Sequence, residues 1–269
     1  RTRRVSAFVE RYGPWAVVAG ASEGIGPSFS WKLAERGCNL VLLARRAGPL
    51  EELAESLRAA HGVEVRAHSL DLGSAEVIAG LHEAIADLDV GLLIYNAAYS
   101  PIGAFVDIEV EDHEKAIAVN VLGPLRVSHY MGRRLAKRGK GGIILMSSMS
   151  SLQGTAMVAN YAATKAYDTI LAEGLWYELG QRGVDVLACI AGATLTPNYE
   201  GSTDRIPTSW LARPMAPDDV TEQALGDLGR RPSGVSGRRN RFASALLARL
   251  LPRRTAIHTV SKETEHMYR

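Results

Sequence analysis

The chain has 269 residues, 46% of them hydrophobic and 22% charged, with a formal net charge of +2. Such a length and balance fit one large α/β domain spanning 1–269, argue against intrinsic disorder, and give no global basis for nucleic-acid binding. Cys38 and Cys189 sit beside apolar runs, which points to reduced thiols in a cytoplasmic setting; no stretch approaches the roughly 18 apolar residues of a membrane span, and no His/Cys pairing predicts a metal site.

Arg1-Thr2-Arg3-Arg4 is expected to be a solvated arm, since no apolar h-region follows it. The apolar run Trp15–Ala19 reads as a buried strand, and Gly20-Ala21-Ser22-Glu23-Gly24-Ile25-Gly26 follows it, leading into a helix that reaches about Arg36. Next come a strand from Asn39 to Ala44, a helix from Leu50 to His61, a strand from Val63 to Leu70, a helix from Ala75 to Asp87 and a strand from Val90 to Tyr95. A long helical region runs from about Val110 to Arg138, with a bend expected near Gly123-Pro124. The strand Gly142 to Met146, the helix Asn160 to Gly180 and the strand Val184 to Ile190 continue the alternation. Strands this apolar, alternating with helices, imply a doubly wound parallel sheet covered on both faces, a Rossmann-type α/β fold. Periodicity is lost over 198–217, as in a lid or binding loop, and Pro217 is placed just outside a helix running from Asp218 to about Arg230.

Glycine motifs carry meaning through context. Gly20, Gly24 and Gly26 lie between a strand and a helix, where backbone amides and the helix N-terminus approach a pyrophosphate. About twenty residues on, a carboxylate would bind a ribose 2′-hydroxyl; this chain has Ala44-Arg45-Arg46 instead, which favours a 2′-phosphate and NADP(H) over NAD(H). At the other end of the sequence, Tyr161 and Lys165 are four apart on a helix and share a face. A fixed cation beside a phenol lowers its pKa from the reference value of about 10 towards a range useful for proton transfer. Ser148 lies thirteen residues before Tyr161, at the carboxyl end of the run Ile143-Ile144-Leu145-Met146, and Ser147 is its adjacent alternative.

On these residues the chain resembles the short-chain dehydrogenase/reductase superfamily in its shorter, reductase-type form, from Tyr12 to about Pro197. The resemblance implies a tetrad of Asn120, Ser148, Tyr161 and Lys165. In it Ser148 binds a substrate carbonyl, Tyr161 delivers the proton, Lys165 tunes Tyr161 and holds the nicotinamide ribose, and Asn120 positions a water. It also implies cofactor contacts from Gly20, Ser22, Glu23, Gly24, Ile25, Gly26, Arg45 and Arg46. Further along, Asp71-Leu72 would lie near the adenine, followed by Asn96-Ala97-Ala98, by Tyr161 and Lys165, and by Gly192, Thr194 and Thr196 in Ala191-Gly192-Ala193-Thr194-Leu195-Thr196.

Four departures stand out: Ala19 where relatives carry Thr, an acid at Glu23 where several NADP-preferring relatives carry a base, Ala98 for Gly, and Ala191 for Pro, which is expected to loosen that loop. The implied activity is reduction, or reverse oxidation, of a ketone, aldehyde or 3-oxoacyl carbonyl. The alternative is a nucleotide-binding scaffold or sensor. A sugar-nucleotide epimerase fits less well, because neither its glycine spacing nor its longer C-terminal part is present.

An apolar substrate wall is expected from Tyr99, Met149, Leu152, Met157, Tyr199 and Trp210. From Arg230 to Arg254 there are eight arginines and no acid, with Phe242, Leu246, Leu247, Leu250 and Leu251 at helical spacing. Three readings of this basic segment, 230–269, stay open: a helix packed on the core or on a neighbouring subunit, attachment to an anionic membrane surface, or recognition of a phosphate-bearing substrate such as an acyl-CoA. Arg238-Arg239-Asn240-Arg241 before a Leu-rich helix resembles the branch that includes very-long-chain 3-oxoacyl-CoA and steroid reductases. Relatives pair subunits through the long helix and the Tyr-bearing helix, so a homodimer or homotetramer is implied.

Overall fold

The computed structural model describes residues 6–203, 205, 213–249 and 251–268, which leaves the arginine arm outside the described residues. Seven strands form one parallel sheet: β1 (Trp15–Ala19), β2 (Asn39–Ala44), β3 (Val65–Ser69), β4 (Val90–Tyr95), β5 (Gly141–Ser148), β6 (Val184–Ala191) and β7 (Ser233–Val235). Their order is β3-β2-β1-β4-β5-β6-β7. The order reverses between β1 and β4, and in open sheets of this kind the crevice at that point, outside the carboxyl ends of the strands, is the ligand site.

The helices are α1 (Ala7–Tyr12), α2 (Gly26–Glu35), α3 (Ala47–His61), α4 (Val77–Ile85), α5 (Val110–Ile117), α6 (Gly123–Arg138), α7 (Ala159–Gly180), α8 (Pro197–Ser202), α9 (Pro217–Asp227), α10 (Arg238–Arg249) and α11 (Arg253–Tyr268). Side chains alternate across a strand, and β1 shows the result: Ala16 and Val18 join the core under α2, α3 and α9, while Val17 and Ala19 join the opposite core under α4, α6 and α7. Burial on both faces explains why inner strands such as β1 and β4 are apolar throughout and legible as such, whereas the edge strand β3 is partly exposed and carries Arg66 and His68.

The irregularity expected near Gly123-Pro124 takes the form of a π-helical turn, Ala118–Leu122, just before them. Pro124 then falls in the first turn of α6, where its missing N–H costs nothing. Asn120 lies inside the π turn, as such residues often do when a helix is shaped around a site. Pro217 starts α9 instead of preceding it, for the same reason, with Ala216 as the cap. The helices α1, α8 and α11 and the three-residue β7 have no counterpart in the sequence reading.

The basic C-terminal segment packs on the protein. Within α11, Thr264 and Thr155 share a hydroxyl–hydroxyl hydrogen bond of 2.9 Å, Ser261 Oγ accepts from the Ala156 amide at 3.1 Å, and Ala256 and Met267 are buried. Arg253 donates to the Leu152 carbonyl at 2.7 Å, and Thr203 Oγ1 donates to the Met267 carbonyl at 2.5 Å. These contacts fasten α11 to the rest of the protein. The side chains of Leu246, Leu247 and Leu250 lie outside the described residues, and Phe242 is exposed. Among the described residues no helix is long and apolar enough to cross a membrane.

Candidate active site

At the switch point the chain makes a close-packed glycine loop. Gly20 has φ +83°, and a Cβ there would stand 2.5 Å from the Ala97 amide nitrogen; at Gly26 a Cβ would stand 2.1 Å from the Gly20 carbonyl oxygen. Neither position admits a side chain, so the loop folds tightly over the end of β1 and presents the N-terminus of α2. Asn96 fastens it by donating to the Gly20 carbonyl at 2.9 Å, and the Ala97 amide donates to the Ala19 carbonyl at 3.0 Å. Ala19, where a Thr was expected, is fully buried in the strand. Asp71 accepts from the Gly73 amide through one carboxylate oxygen, and Leu72 is buried in the core below it.

Beyond β2, Glu23 pairs with Arg46. The acid that departs from the pattern is therefore neutralised by one of the two arginines, while exposed Arg45 makes no ion pair among the described residues. The Ala191–Thr196 loop is tied down despite lacking its Pro. Met215 donates to the Ala193 carbonyl and accepts from the Leu195 amide, both at 2.9 Å, and Asn240 packs against Gly192 so closely that a Cβ there would meet it at 2.4 Å. Thr194 donates to the Gly192 carbonyl at 3.0 Å, and Thr196 caps α8 by accepting from the Tyr199 amide.

The predicted site residues Ser148, Tyr161 and Lys165 belong to the end of β5 and to α7, which packs on it. Ser148 is its last residue, half-buried, and accepts from the Ser150 amide at 3.2 Å. Ser147, the alternative, is buried and donates to the Lys165 carbonyl at 2.7 Å, so its hydroxyl is fastened to α7. Tyr161 lies in the first turn of α7, and the Lys165 Nζ is 5.9 Å from its ring centroid. Lys165 is buried and donates to the Met146 carbonyl at 2.7 Å and to Asp168 Oδ2 at 3.0 Å. Burial opposes the charge on Lys165, but Asp168 and Tyr161 outweigh it and hold the ammonium above its ordinary pKa; burial raises Asp168, against the pull of Lys165.

Asn120 is fully buried, and its side chain donates to the Tyr99 carbonyl at 2.8 Å and to Thr164 Oγ1 at 3.0 Å, while its Oδ1 accepts from the Tyr99 amide at 2.8 Å. It thus locks the chain after Asn96-Ala97-Ala98 to α7. Tyr99 does not present an apolar face alone: its hydroxyl donates to Asp112 at 2.6 Å and Lys115 lies over its ring. Met149, Leu152 and Met157 are half-buried beside Ser148 in sequence, Tyr199 is half-buried on α8, and Trp210 lies outside the described residues. Asp168 was missed by the sequence reading. Its signal was the three-residue spacing from Lys165, which puts both on one helical face.

The family model for short chain dehydrogenase matches residues 14–206. The chain belongs to that family. It is an oxidoreductase acting on CH–OH and C=O groups with a nicotinamide cofactor. A 7β-hydroxysteroid dehydrogenase of Clostridium sardiniense is 33% identical over 234 residues, covering 87% of this chain and 89% of that protein. A solved structure from work on 7β-hydroxysteroid dehydrogenase stereoselectivity superposes with a TM-score of 0.88 at 29% identity, over 94% of this chain and 98% of the other. A short-chain dehydrogenase from Sphingobium yanoikuyae in complex with NADPH gives 0.75 at 30% identity, over 83% and 87%.

Proposed function

We propose that this short-chain dehydrogenase is an NADP(H)-dependent reductase of a bulky hydrophobic ketone, of steroid or 3-oxoacyl type, working in the reverse direction as an alcohol dehydrogenase. The observation that carries it is the buried ammonium of Lys165, fastened to the Met146 carbonyl two residues before Ser148 and lying 5.9 Å from the Tyr161 ring centroid. The reading is supported by the chain's similarity to a 7β-hydroxysteroid dehydrogenase and to a short-chain dehydrogenase in complex with NADPH. Gly20, Gly26 and the start of α2 would form the cradle for the pyrophosphate, and Arg45 would hold the 2′-phosphate. A bound nicotinamide would supply or take up the hydride. Tyr161 gives a proton to the carbonyl oxygen, and Ser148 donates a hydrogen bond to that same oxygen. Lys165 keeps a positive charge beside Tyr161, so that the phenol loses and regains its proton with less cost. Asn120 fixes the Tyr99 backbone against α7 and so shapes the wall beside Tyr161.

The test is NADPH oxidation against a panel of steroid ketones, 3-oxoacyl thioesters and small aldehydes. Turnover restricted to one bulky class supports the reading; tight NADPH binding with no turnover anywhere would move the protein to the scaffold class. Cofactor choice has its own check. Arg45→Ala is expected to weaken NADPH binding by about 10- to 100-fold, the value of one charge-assisted contact, and to leave NADH binding within about twofold. Arg46→Ala should cost less, because Glu23 already holds that guanidinium. Fluorescence titration of both cofactors against both variants decides this; equal losses for NADH would refute the 2′-phosphate assignment.

We also propose a homodimer or homotetramer built on α5, α6 and α7. These helices expose Val110, Ile117, Leu125, Ile170, Trp176 and Tyr177, and Ile170 and Tyr177, seven apart, share one face of α7. The double variant Ile170→Glu/Tyr177→Glu should run as a smaller species in light scattering, with its circular dichroism unchanged.

A further inference from the structure

Asp168, the ion-pair partner of Lys165, has no role in the chemistry as so far described. Both side chains are almost completely buried, at 3% and 2% exposure. Placing a carboxylate there is costly, because a buried ion pair rarely adds net stability over an apolar pair of the same volume. The cost is visible in the remaining oxygen: Asp168 Oδ1 is buried with no hydrogen-bond partner among the described residues. An apolar residue would fill the same place on α7 without leaving an oxygen unpartnered. The carboxylate does two things an apolar residue does not. Together with the Met146 carbonyl it takes two of the three protons of the ammonium, which fixes the head group and leaves one N–H for a ligand. Its negative charge also opposes the positive field that Lys165 casts on Tyr161. The other titratable groups facing the pair are Tyr167 on α7 and Tyr95 on β4, and the Tyr95 hydroxyl is held by donation to the Val119 carbonyl.

We propose that Asp168 is a positioning residue that anchors the Lys165 ammonium at the end of β5 and offsets its charge, and so sets how much of that charge reaches Tyr161. The inference rests on the proposed pairing of Tyr161 with Lys165 but needs no substrate to be known. With Asp168 neutralised, the Tyr161–Lys165 pair carries an uncompensated positive charge, so its first proton leaves at lower pH whichever group gives it up.

The experiment is an optical titration of phenolate absorbance in the cofactor-free protein. Subtracting Tyr161→Phe from wild type isolates Tyr161; subtracting Asp168→Asn/Tyr161→Phe from Asp168→Asn does the same without the charge. The expected result is a midpoint lower by about one pH unit in the Asp168→Asn background, returning toward wild type in Asp168→Glu. A folded Asp168→Asn protein whose midpoint is unmoved or raised overturns the proposal, since a purely structural residue would change stability alone. Should Asp168→Asn fail to fold, Asp168→Ser leaves room for water beside the ammonium and is titrated in the same way. Loss of fold in both variants also overturns it, in favour of a structural role. Because the titration involves no turnover, failure of the reductase reading would appear separately, as a wild-type protein that reduces nothing in the panel.

Discussion

Tyr161→Phe is expected to lower kcat by about 10²- to 10⁴-fold, the range for removing a positioned acid–base group, while NADPH binding stays within about twofold of wild type. The prediction follows from where the hydroxyl stands relative to everything else. Tyr161 is half-buried in the first turn of α7, and the described hydrogen bonds of its neighbours do not pass through its hydroxyl: Lys165 is anchored on Met146 and Asp168, and Asn120 on Tyr99 and Thr164. Removing the oxygen therefore leaves Lys165, Asn120 and the glycine loop in place. The measurement is single-turnover NADPH oxidation alongside fluorescence titration of the cofactor, on whichever substrate class the panel identifies. A variant that keeps wild-type turnover would remove Tyr161 from the chemistry. A variant that loses NADPH binding instead would make its role one of holding the cofactor.

The second large effect concerns stability. Lys165→Met should destabilise the fold by about 3–5 kcal/mol near neutral pH, because it leaves the Asp168 carboxylate buried without its partner. The double variant Lys165→Met/Asp168→Leu should recover most of that loss, since two apolar side chains can pack where the ion pair stood. The pH dependence has a definite sign. Burial already raises Asp168 above its ordinary carboxylate range, and loss of the ammonium raises it further. In the single variant, stability is therefore greatest below the unfolded-state pKa of about 4 and falls as pH rises through the folded-state value. Chemical denaturation of wild type, Lys165→Met, Asp168→Leu and the double variant at several pH values gives the whole cycle. A double variant no more stable than the single would show that the pair itself, and not the orphaned charge, holds this part of the chain together.

Much of this arrangement was legible in the sequence, for reasons that can be traced residue by residue. β1, β2 and β4 were read with their observed bounds, because a strand covered on both faces must be apolar along its whole length and ends where the apolar run ends. Gly20 and Gly26 were legible because backbone crowding permits only glycine, and the strand before them and helix after them gave them a meaning. What escaped was whatever depends on a partner distant in the chain. α11 offers few apolar residues at helical spacing and is fastened through hydroxyls, Thr264 to Thr155 and Ser261 to the Ala156 amide, a pattern indistinguishable in sequence from a solvated helix. β7 is three residues around a glycine, below what a periodicity can show. The π turn at Asn120 leaves no mark in residue spacing; only the backbone of the folded helix shows it. Asp168 looked like any acid on a helix until the packing of α7 on β5 put it inside.

The fastening of α11 also matters to anyone wishing to change what this protein accepts. One helix touches two segments that are far apart in the chain, Thr155 and Ala156 on one side and Thr203 and Arg205 on the other, without contributing a strand to the sheet or a residue to the glycine loop. A library confined to Ser261, Thr264 and Met267 would alter the packing of α11 against these segments in one step and leave the glycine loop untouched. Laboratory evolution would have in this helix a short, contiguous target in which altered selectivity and retained fold are separable by design.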